Sequence, residues 1–131
     1  MFTGIVQTHA RVVKVVRKPG LTSFVIRFPR QLLRGLTRGA SVAIDGACLT
    51  VTGIKKDLIS FDAMAETLRK TTLGKMKLGD RMNIERSAKL SDEIGGHLVS
   101  GHVTGMAEIV RVQKTANNRV LMFRVAPHFM Q

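Results

Sequence analysis

The sequence predicts an all-β fold: one small, closed antiparallel barrel followed by an incomplete second copy of the same unit. Two observations predict the barrel: short apolar segments that alternate with polar residues, and helical segments of about one turn. A third observation predicts the second copy, because the chain repeats itself at an offset of 97 residues (101 − 4 = 97). Closing such a sheet into a barrel removes its exposed strand edges.

The repeat aligns residues 98–103 with residues 1–6 and continues without a gap. The aligned pairs are Thr3 with Ser100, Gly4 with Gly101, Val6 with Val103, Ala10 with Ala107, Val12 with Ile109, Val13 with Val110, Val15 with Val112 and Arg27 with Arg124. The 131 residues therefore hold one unit and about a third of another. We expect a first barrel over residues 1–90, a connector over 91–97 and the first hairpin of an incomplete second barrel over 98–131. We also expect the chain to be part of a two-unit protein.

Six strands are expected in the first unit, at Thr3–Lys18, Leu21–Phe28, Ser41–Asp45, Leu49–Ile54, Leu58–Ala63 and Met82–Arg86. The first two form a hairpin across the turn at Pro19-Gly20. The doublets Val12-Val13 and Val15-Val16 break the alternation of the first strand, which predicts a β-bulge or burial on both faces.

Two short helices and a second hairpin complete the predicted elements. The helices are expected at Arg30–Leu36, which follows Pro29, and at Glu66–Thr71. In the second copy, strands over Gly101–Lys114 and Arg119–Val125 repeat the first hairpin around Asn117-Asn118. A lone hairpin is marginally stable, so this one should pack on the barrel or on another chain, or else expose its apolar residues.

The composition argues against several classes of protein. The formal net charge of +12 suggests an anionic partner, but the basic residues are scattered along the sequence, and Trp and Tyr, which stack on bases, are absent. We therefore expect no nucleic-acid partner. A single cysteine, Cys48, excludes an internal disulfide and a multi-cysteine metal site. No apolar run has the length of a membrane span and no secretory signal is present, so we expect a cytoplasmic protein without a membrane partner.

Two segments of the first unit are candidates for binding a flat ligand. In Gly4-Ile5-Val6 the glycine lets main-chain N–H and C=O groups approach the ligand closely, although these residues alone favour a bulge in a barrel strand. In Cys48-Leu49-Thr50 the first and third side chains share one strand face, while Leu49 turns to the other. Thr50 can hydrogen-bond a ring heteroatom or a ligand hydroxyl. Cys48 is read as a small apolar residue, not as a nucleophile.

A third segment spans a strand end and a helix start: Asp62, Ala63, Met64, Ala65, Glu66 and Thr67. Unpaired N–H groups at the helix start, together with Glu66 and Thr67, suit a polyhydroxylated chain or a uracil-like edge, and plain helix capping is the alternative. Met64 offers an apolar surface to a ring.

The second copy adds Gly101, His102 and Val103, which align with Gly4, Ile5 and Val6. His102 thus places a proton-carrying side chain where the first copy has an aliphatic residue. This asymmetry indicates that the two copies have different roles.

Four separated segments together resemble the riboflavin synthase family of two-barrel, homotrimeric enzymes. They are residues 1–6 (Met-Phe-Thr-Gly-Ile-Val), residues 46–51 (Gly-Ala-Cys-Leu-Thr-Val), residues 66–68 (Glu-Thr-Leu) and residues 91–102 (Ser-Asp-Glu-Ile-Gly-Gly-His-Leu-Val-Ser-Gly-His). They occur in the order and spacing of the family, and the resemblance extends over the whole chain.

The resemblance implies a duplicated six-stranded Greek-key barrel that binds one lumazine per barrel. In this family two molecules of 6,7-dimethyl-8-ribityllumazine exchange a four-carbon unit, giving riboflavin and 5-amino-6-ribitylaminouracil, without a metal or another cofactor. The reaction takes place between the first barrel of one subunit and the second barrel of its neighbour. The resemblance further implies that His102 transfers a proton and that Phe2, at a mobile chain end, packs near the reacting ring.

The segments that this chain lacks limit what we expect of it. The second copies of residues 46–51 and 62–67 and the trimer-forming helix of the family would lie beyond Gln131. We therefore expect these 131 residues to bind lumazine or riboflavin with little or no turnover, and to self-associate through the second hairpin. A lumazine- or flavin-binding protein of the same fold without catalysis is the alternative.

Overall fold

Eight β-strands and one short α-helix form the chain in a computed structural model, which describes residues 1–89, 95 and 97–129. The strands are β1 (Thr8–Lys18), β2 (Leu21–Arg27), β3 (Ser41–Ile44), β4 (Ala47–Lys55), β5 (Leu58–Met64), β6 (Arg81–Arg86), β7 (Glu108–Lys114) and β8 (Arg119–Arg124). The α-helix α1 spans Ala65–Lys70, and single 3-10 turns lie at Arg30–Leu32, Thr72–Lys75 and Pro127–Phe129. No helix of the described residues is long and apolar enough to cross a membrane.

The first six strands close into an antiparallel barrel in the order β1-β2-β5-β4-β3-β6. Closure is made by β6, which pairs with β1 from Thr8↔Ile84 to Arg11↔Arg81. The chain passes from β2 to β3 across the barrel and returns through β4 to β5, so the connection is a Greek key. The predicted barrel is confirmed.

Alternate residues of the six strands form the barrel core. In β2 every second residue is buried, and the rings of Phe24 and Phe61 stack with centroids 5.9 Å apart. Phe28 lies against the same Phe61 ring at 6.0 Å. Each such side chain contributes about 1.5–3 kcal/mol when fully buried, so the aromatic cluster is a main source of barrel stability.

The second hairpin reproduces the first at the offset of 97 residues. The first hairpin pairs Arg11↔Arg27 and Val12↔Ile26, and the second pairs Glu108↔Arg124 and Ile109↔Phe123. The register shifts between Val12 and Lys14 in β1 and between Ile109 and Arg111 in β7, so the predicted bulge occurs at Val13 and again at its repeat partner. The two copies share pairing and bulge as well as residues.

The N-terminal segment departs from the predicted strand. A strand was expected from Thr3, but β1 begins at Thr8. Residues 2–6 instead form an arm across the barrel end, where Phe2 makes an antiparallel bridge with Val99. The helix expected at Arg30–Leu36 is also shorter, a 3-10 turn over Arg30–Leu32, and Gly35 follows it with a φ of +66°.

The hairpin β7–β8 is exposed along its whole length. Its apolar side chains include Ile109, Val112, Leu121 and Phe123, which are 46–55% exposed. Of the three outcomes considered for this hairpin, packing on the barrel is therefore wrong, and within this chain its apolar residues are exposed. The predicted connector over 91–97 falls mostly outside the described residues, and the domain boundaries stay a prediction.

Candidate functional site

A cavity of about 340 Å³ opens where the start of β4, the helix α1 and the segment 101–104 meet. Its lining residues are Ala47, Cys48, Glu66, Thr67, Lys70, Thr71, Gly101, His102, Val103 and Thr104. They come from three parts of the chain that are far apart in sequence. The volume lies in the range of small-molecule sites in proteins. We call this cavity the α1 cavity.

One wall of the α1 cavity depends on a close approach between two main-chain segments. The Cys48 N–H donates a hydrogen bond to the Gly101 carbonyl oxygen over 2.8 Å. Gly101 has a φ of +78°, and a Cβ there would lie 2.9 Å from the Cys48 Cβ and 3.0 Å from the Phe2 ring. Only glycine fits this position without a shift of its neighbours.

The opposite wall is the polar face of α1. The Lys70 ammonium donates to Glu66 Oε1 over 2.7 Å, and this hydrogen bond lowers the pKa of the Glu66 carboxyl. The Thr67 carbonyl oxygen accepts from the Thr71 N–H and hydroxyl, and the Thr67 hydroxyl has no partner among the described residues. The wall therefore offers an anionic acceptor, a cationic donor and a free hydroxyl.

A second cavity, of about 290 Å³, lies on the other side of Gly101, beneath the N-terminal arm. Its lining residues are Phe2, Gly4, Val6, Ala43, Asp45, Gly46, Asn83, Ile84, Glu85, Val99 and Gly101. We call it the arm cavity. Because Gly101 lines both cavities, a change in the position of the arm also changes the wall of the α1 cavity.

The side chain of Glu85 fixes the arm to the barrel. Its Oε1 accepts hydrogen bonds from the Thr3 N–H at 2.7 Å, the Thr3 hydroxyl at 2.8 Å and the Gly4 N–H at 3.1 Å. The residue is only 7% exposed. A buried carboxylate is tolerated when hydrogen-bond donors surround it, and here all three donors belong to the arm.

Nine of the predicted site residues line the two cavities. Cys48, Glu66, Thr67, Gly101, His102 and Val103 line the α1 cavity, and Phe2, Gly4 and Val6 line the arm cavity. The remaining seven, Ile5, Leu49, Thr50, Asp62, Ala63, Met64 and Ala65, line neither.

The seven residues outside the cavities differ in their surroundings. Leu49 and Ala63 belong to the barrel core at 5% and 1% exposure, so only their main chain can face a ligand. Thr50 is exposed on the same face of β4 as Cys48, as the alternation predicted. Asp62 is exposed and accepts a hydrogen bond from Ser23 at 2.6 Å.

The structure corrects the expectation that Phe2 is mobile. Phe2 is 1% exposed, and its N–H and carbonyl oxygen both bond to Val99, over 2.8 and 2.9 Å. Its ring packs against Gly101. The arm closes on the barrel because the ring is buried there, and a chain end held in this way is not a movable lid.

Sequence reasoning missed Lys70 and Glu85. Lys70 follows Glu66 by four residues, a spacing that pairs side chains on one helix face, so this signal was available. Glu85 gave no signal, because the alternation in β6 predicts an exposed carboxylate there. It is buried because the arm covers it. The described residues contain no group of three or more His, Cys, Asp or Glu side chains able to hold a metal ion.

Comparison with known proteins adds a family and several relatives. The model of the lumazine binding domain family matches residues 3–87, which include all six barrel strands. Riboflavin synthase of Escherichia coli (strain K12) is 52% identical over 125 residues, which are 95% of this chain and 59% of that protein. Riboflavin synthase of Buchnera aphidicola subsp. Schizaphis graminum (strain Sg) is 43% identical over 125 residues, 95% of this chain and 60% of that protein. The chain thus spans about three fifths of these relatives.

Solved structures show the same fold. LumP complexed with 6,7-dimethyl-8-(1'-D-ribityl) lumazine matches with a TM-score of 0.86 and 23% sequence identity, over 97% of this chain and 70% of that one. LumP complexed with riboflavin matches with a TM-score of 0.87 and 22% identity, over 99% of this chain and 70% of that one.

Proposed function

The chain belongs to the lumazine binding domain family, and on this premise we propose that it is the ligand-binding part of a riboflavin synthase. The observation that carries the proposal is the α1 cavity. Six residues predicted from three separate segments meet in this one cavity. The reaction proposed for the whole protein is the dismutation of two 6,7-dimethyl-8-ribityllumazine molecules to riboflavin and 5-amino-6-ribitylaminouracil. Relatives that are 52% and 43% identical carry the name riboflavin synthase, which supports this choice.

The polarity of the α1 cavity suits a ribityl-substituted ring. Sugar-alcohol hydroxyls are both donors and acceptors, and the wall of Glu66, Thr67 and Lys70 matches them with an acceptor, a free hydroxyl and a donor. The main chain around Gly101 forms the facing wall, and the missing Cβ lets this wall lie directly against Cys48 and Phe2. The ring would thus lie against 101–103 with its ribityl chain along α1.

His102 is the proposed proton-transfer residue. The dismutation requires a proton to leave the C7 methyl of one lumazine, and an imidazole is suited to accept it near neutral pH. His102 lines the α1 cavity, and its main-chain N–H donates a hydrogen bond to Ser100 Oγ over 3.1 Å. The first copy has the same turn, in which the Ile5 main-chain N–H donates to Thr3 Oγ1 over 3.2 Å. The exposed imidazole is open to a second ligand brought by another subunit. Phe2, behind Gly101, stays a candidate for packing near the reacting ring.

We expect the 131-residue chain itself to bind ligand with little or no turnover. Its hairpin β7–β8 exposes the residues that align with the core positions of the first barrel. The partner barrel that should supply the second lumazine is therefore not formed by this chain alone. Self-association through the hairpin, and a trimer for the whole protein, are part of the same proposal.

Riboflavin fluorescence quenching tests the proposed site. We expect Thr67→Val to weaken riboflavin binding about five- to tenfold, because a ribityl hydroxyl loses its partner in a partly buried cavity. Thr37→Val, which removes an exposed hydroxyl on the loop before β3, is the matched control and should bind like the parent. Equal affinity for the Thr67 variant and the parent would place the ligand elsewhere.

Incubation with 6,7-dimethyl-8-ribityllumazine tests the activity. Riboflavin formed by the full-length gene product and lost in His102→Gln would support the synthase, with binding of lumazine retained in the variant. Binding without any riboflavin would identify the alternative, a non-catalytic lumazine- or flavin-binding protein.

A further inference from the structure

Another cavity lies at the other end of β5 from the α1 cavity. It has a volume of about 840 Å³ and is lined by His9, Ala10, Arg11, Arg27, Phe28, Pro29, Arg30, Leu33, Lys56, Asp57 and Arg81. We call it the arginine cleft. The seven residues of β5 separate the two cavities, which places them about 20 Å apart. The arginine cleft is therefore not part of the proposed lumazine site.

Three of its arginines form a row across three neighbouring strands. Arg11 of β1 pairs directly with Arg27 of β2 on one side and with Arg81 of β6 on the other. All three residues are exposed, while the adjacent Val12, Ile26 and Met82 are buried, so the arginines share the outer face of the barrel. Like charges directly opposite each other on a sheet are destabilising.

Little negative charge within the protein compensates this row. Arg27 forms an ion pair with Asp57 at 3.3 Å, and both side chains are largely exposed, which makes the pair weak. Across residues 1–89, 95 and 97–129, no carboxylate lies within 4.0 Å of Arg11, Arg81, Arg30 or Lys56. The row and its two neighbouring cations thus form a concentrated positive surface around a cleft, in which Asp57 is the one lining carboxylate.

We propose that the arginine cleft binds a small anion that carries several phosphate groups. Guanidinium groups recognise phosphate through paired hydrogen bonds, and such an anion would turn the repulsion within the row into attraction. The row spans about 10 Å from β2 to β6, since neighbouring strands lie about 4.8 Å apart. This width fits an oligophosphate better than a single phosphate. The apolar floor of Ala10, Phe28 and Leu33 limits the water that competes for the anion.

The same surface fits single-stranded RNA less well. Binding of unpaired bases relies on several exposed aromatic rings, whereas Phe28 in the cleft is 2% exposed and only the His9 imidazole offers an exposed ring. We therefore commit to the small oligophosphate.

Calorimetric titration of the 131-residue chain with inorganic tripolyphosphate tests the proposal. The double variant Arg11→Gln/Arg81→Gln should bind at least tenfold more weakly than the parent, because two charged hydrogen-bonding groups are lost. The matched control is Arg111→Gln/Arg119→Gln, which removes the same charge from the exposed strands β7 and β8 and should keep the parent's affinity. Without the anion, the Arg11/Arg81 variant should melt no lower than the parent, because repulsion is removed.

Three results would overturn the proposal. The first is no binding of tripolyphosphate by the parent at millimolar concentration. The second is an equal loss of affinity in both double variants, which would mean that net charge alone attracts the anion. The third is tighter binding of an unstructured RNA oligonucleotide than of tripolyphosphate with the same dependence on Arg11 and Arg81. Riboflavin quenching should be the same in the parent and the Arg11/Arg81 variant, so this test is separate from that of the proposed function.

Discussion

Gly101 shows how a single residue determines the geometry of the proposed site. It combines a φ of +78° with neighbours that leave no room for a Cβ, and its carbonyl oxygen accepts the hydrogen bond of the Cys48 N–H. Its repeat partner Gly4 has nearly the same φ, +81°, but a Cβ there would meet only the Val99 side chain at 3.9 Å. Both copies of the repeat therefore have a glycine with positive φ, but only at Gly101 do neighbouring atoms leave no room for a Cβ.

We predict that Gly101→Ala destabilises the chain by about 1–3 kcal/mol and weakens riboflavin binding. The cost combines a φ that alanine rarely adopts with contacts of 2.9–3.1 Å to Cys48 and Phe2. Gly20→Ala is the control, because Gly20 has a φ of +71° and no atom near the added Cβ. Urea unfolding should show a larger loss at Gly101. Equal losses would mean that backbone strain alone sets the cost.

Asp45 leads to a prediction of how the stability of the chain depends on pH. Asp45 is exposed as a residue, but partial burial of its carboxyl in the turn between β3 and β4 raises its pKa, and the hydrogen bond from the Asn83 N–H at 2.7 Å offsets only part of this. The folded state therefore binds this proton more tightly than the unfolded chain, in which the Asp45 carboxyl has its ordinary pKa of 3.8. Ionised Asp45 therefore lowers the free energy of unfolding. This loss is absent below the pKa of the unfolded chain and complete above the raised pKa of the folded state.

Asp45→Asn should accordingly raise the melting temperature at pH 7 by about 1–3 °C and leave it unchanged at pH 3. Asparagine keeps an oxygen for the Asn83 N–H and tolerates the φ of +46° at this position. Asp62→Asn, which removes an exposed carboxylate on β5 that accepts the Ser23 hydroxyl, controls for the change in net charge. A gain at pH 3 as large as that at pH 7 would contradict the assignment.

The N-terminal arm is the element that couples the two cavities. Glu85 holds Thr3 and Gly4, Phe2 pairs with Val99, and the segment after Val99 carries Gly101. The arm therefore acts as an added extended segment that supports residues 99–103 from behind. Deleting or loosening it should change the α1 cavity although none of its residues lines that cavity.

Substitution of Glu85 tests this coupling. Glu85→Ala should cost about 2–4 kcal/mol of stability, because three donors lose one charged acceptor in a largely buried place. Glu85→Gln keeps an acceptor oxygen in a side chain of the same shape and should cost less than half as much. Chemical unfolding gives the stabilities, and riboflavin titration should show weaker binding for the alanine variant. If alanine and glutamine behaved alike, the hydrogen bonds to the arm would not be the source of the effect.

For the whole molecule, the exposed hairpin has the largest consequence. At the offset of 97 residues, Ile109, Leu121 and Phe123 align with Val12, Phe24 and Ile26, which are 0–1% exposed in the first barrel. The same positions of the second copy are 46–55% exposed. Apolar strand faces of this kind mark interaction surfaces, so the chain should associate with itself as its concentration rises.

Leu121→Lys should reduce this self-association, measured by sedimentation velocity, by tenfold or more in the dissociation constant. Burying a charge in an apolar interface is costly, and Leu121 lies on the core face of its copy. Val120→Lys is the matched control, because Val120 aligns with the outward-facing Ser23 and is similarly exposed at 53%. A parent that stays monomeric at high concentration would rule out the hairpin as an interface.

Much of the fold could be predicted from the sequence because it depends on local patterns. Alternation gave the six barrel strands to within a few residues, the valine doublets gave the bulge, and the repeat offset gave the register of the second hairpin. The residue types within one segment can be read in the same way, and Cys48 and Thr67, which they single out as candidates, both line the α1 cavity.

Contacts between segments could not be read in the same way. The burial of Glu85, the arm on which it depends, the absence of room at Gly101 and the row Arg27–Arg11–Arg81 all arise where distant segments meet. Alternation assigns a residue to a face of its strand, but strand order decides which residues become its neighbours on that face. The sequence by itself thus determined the barrel, its repeat and the residue types of the site. Only the tertiary structure decided which of those residues share a cavity, because closure of the barrel brings together strands that no local pattern connects.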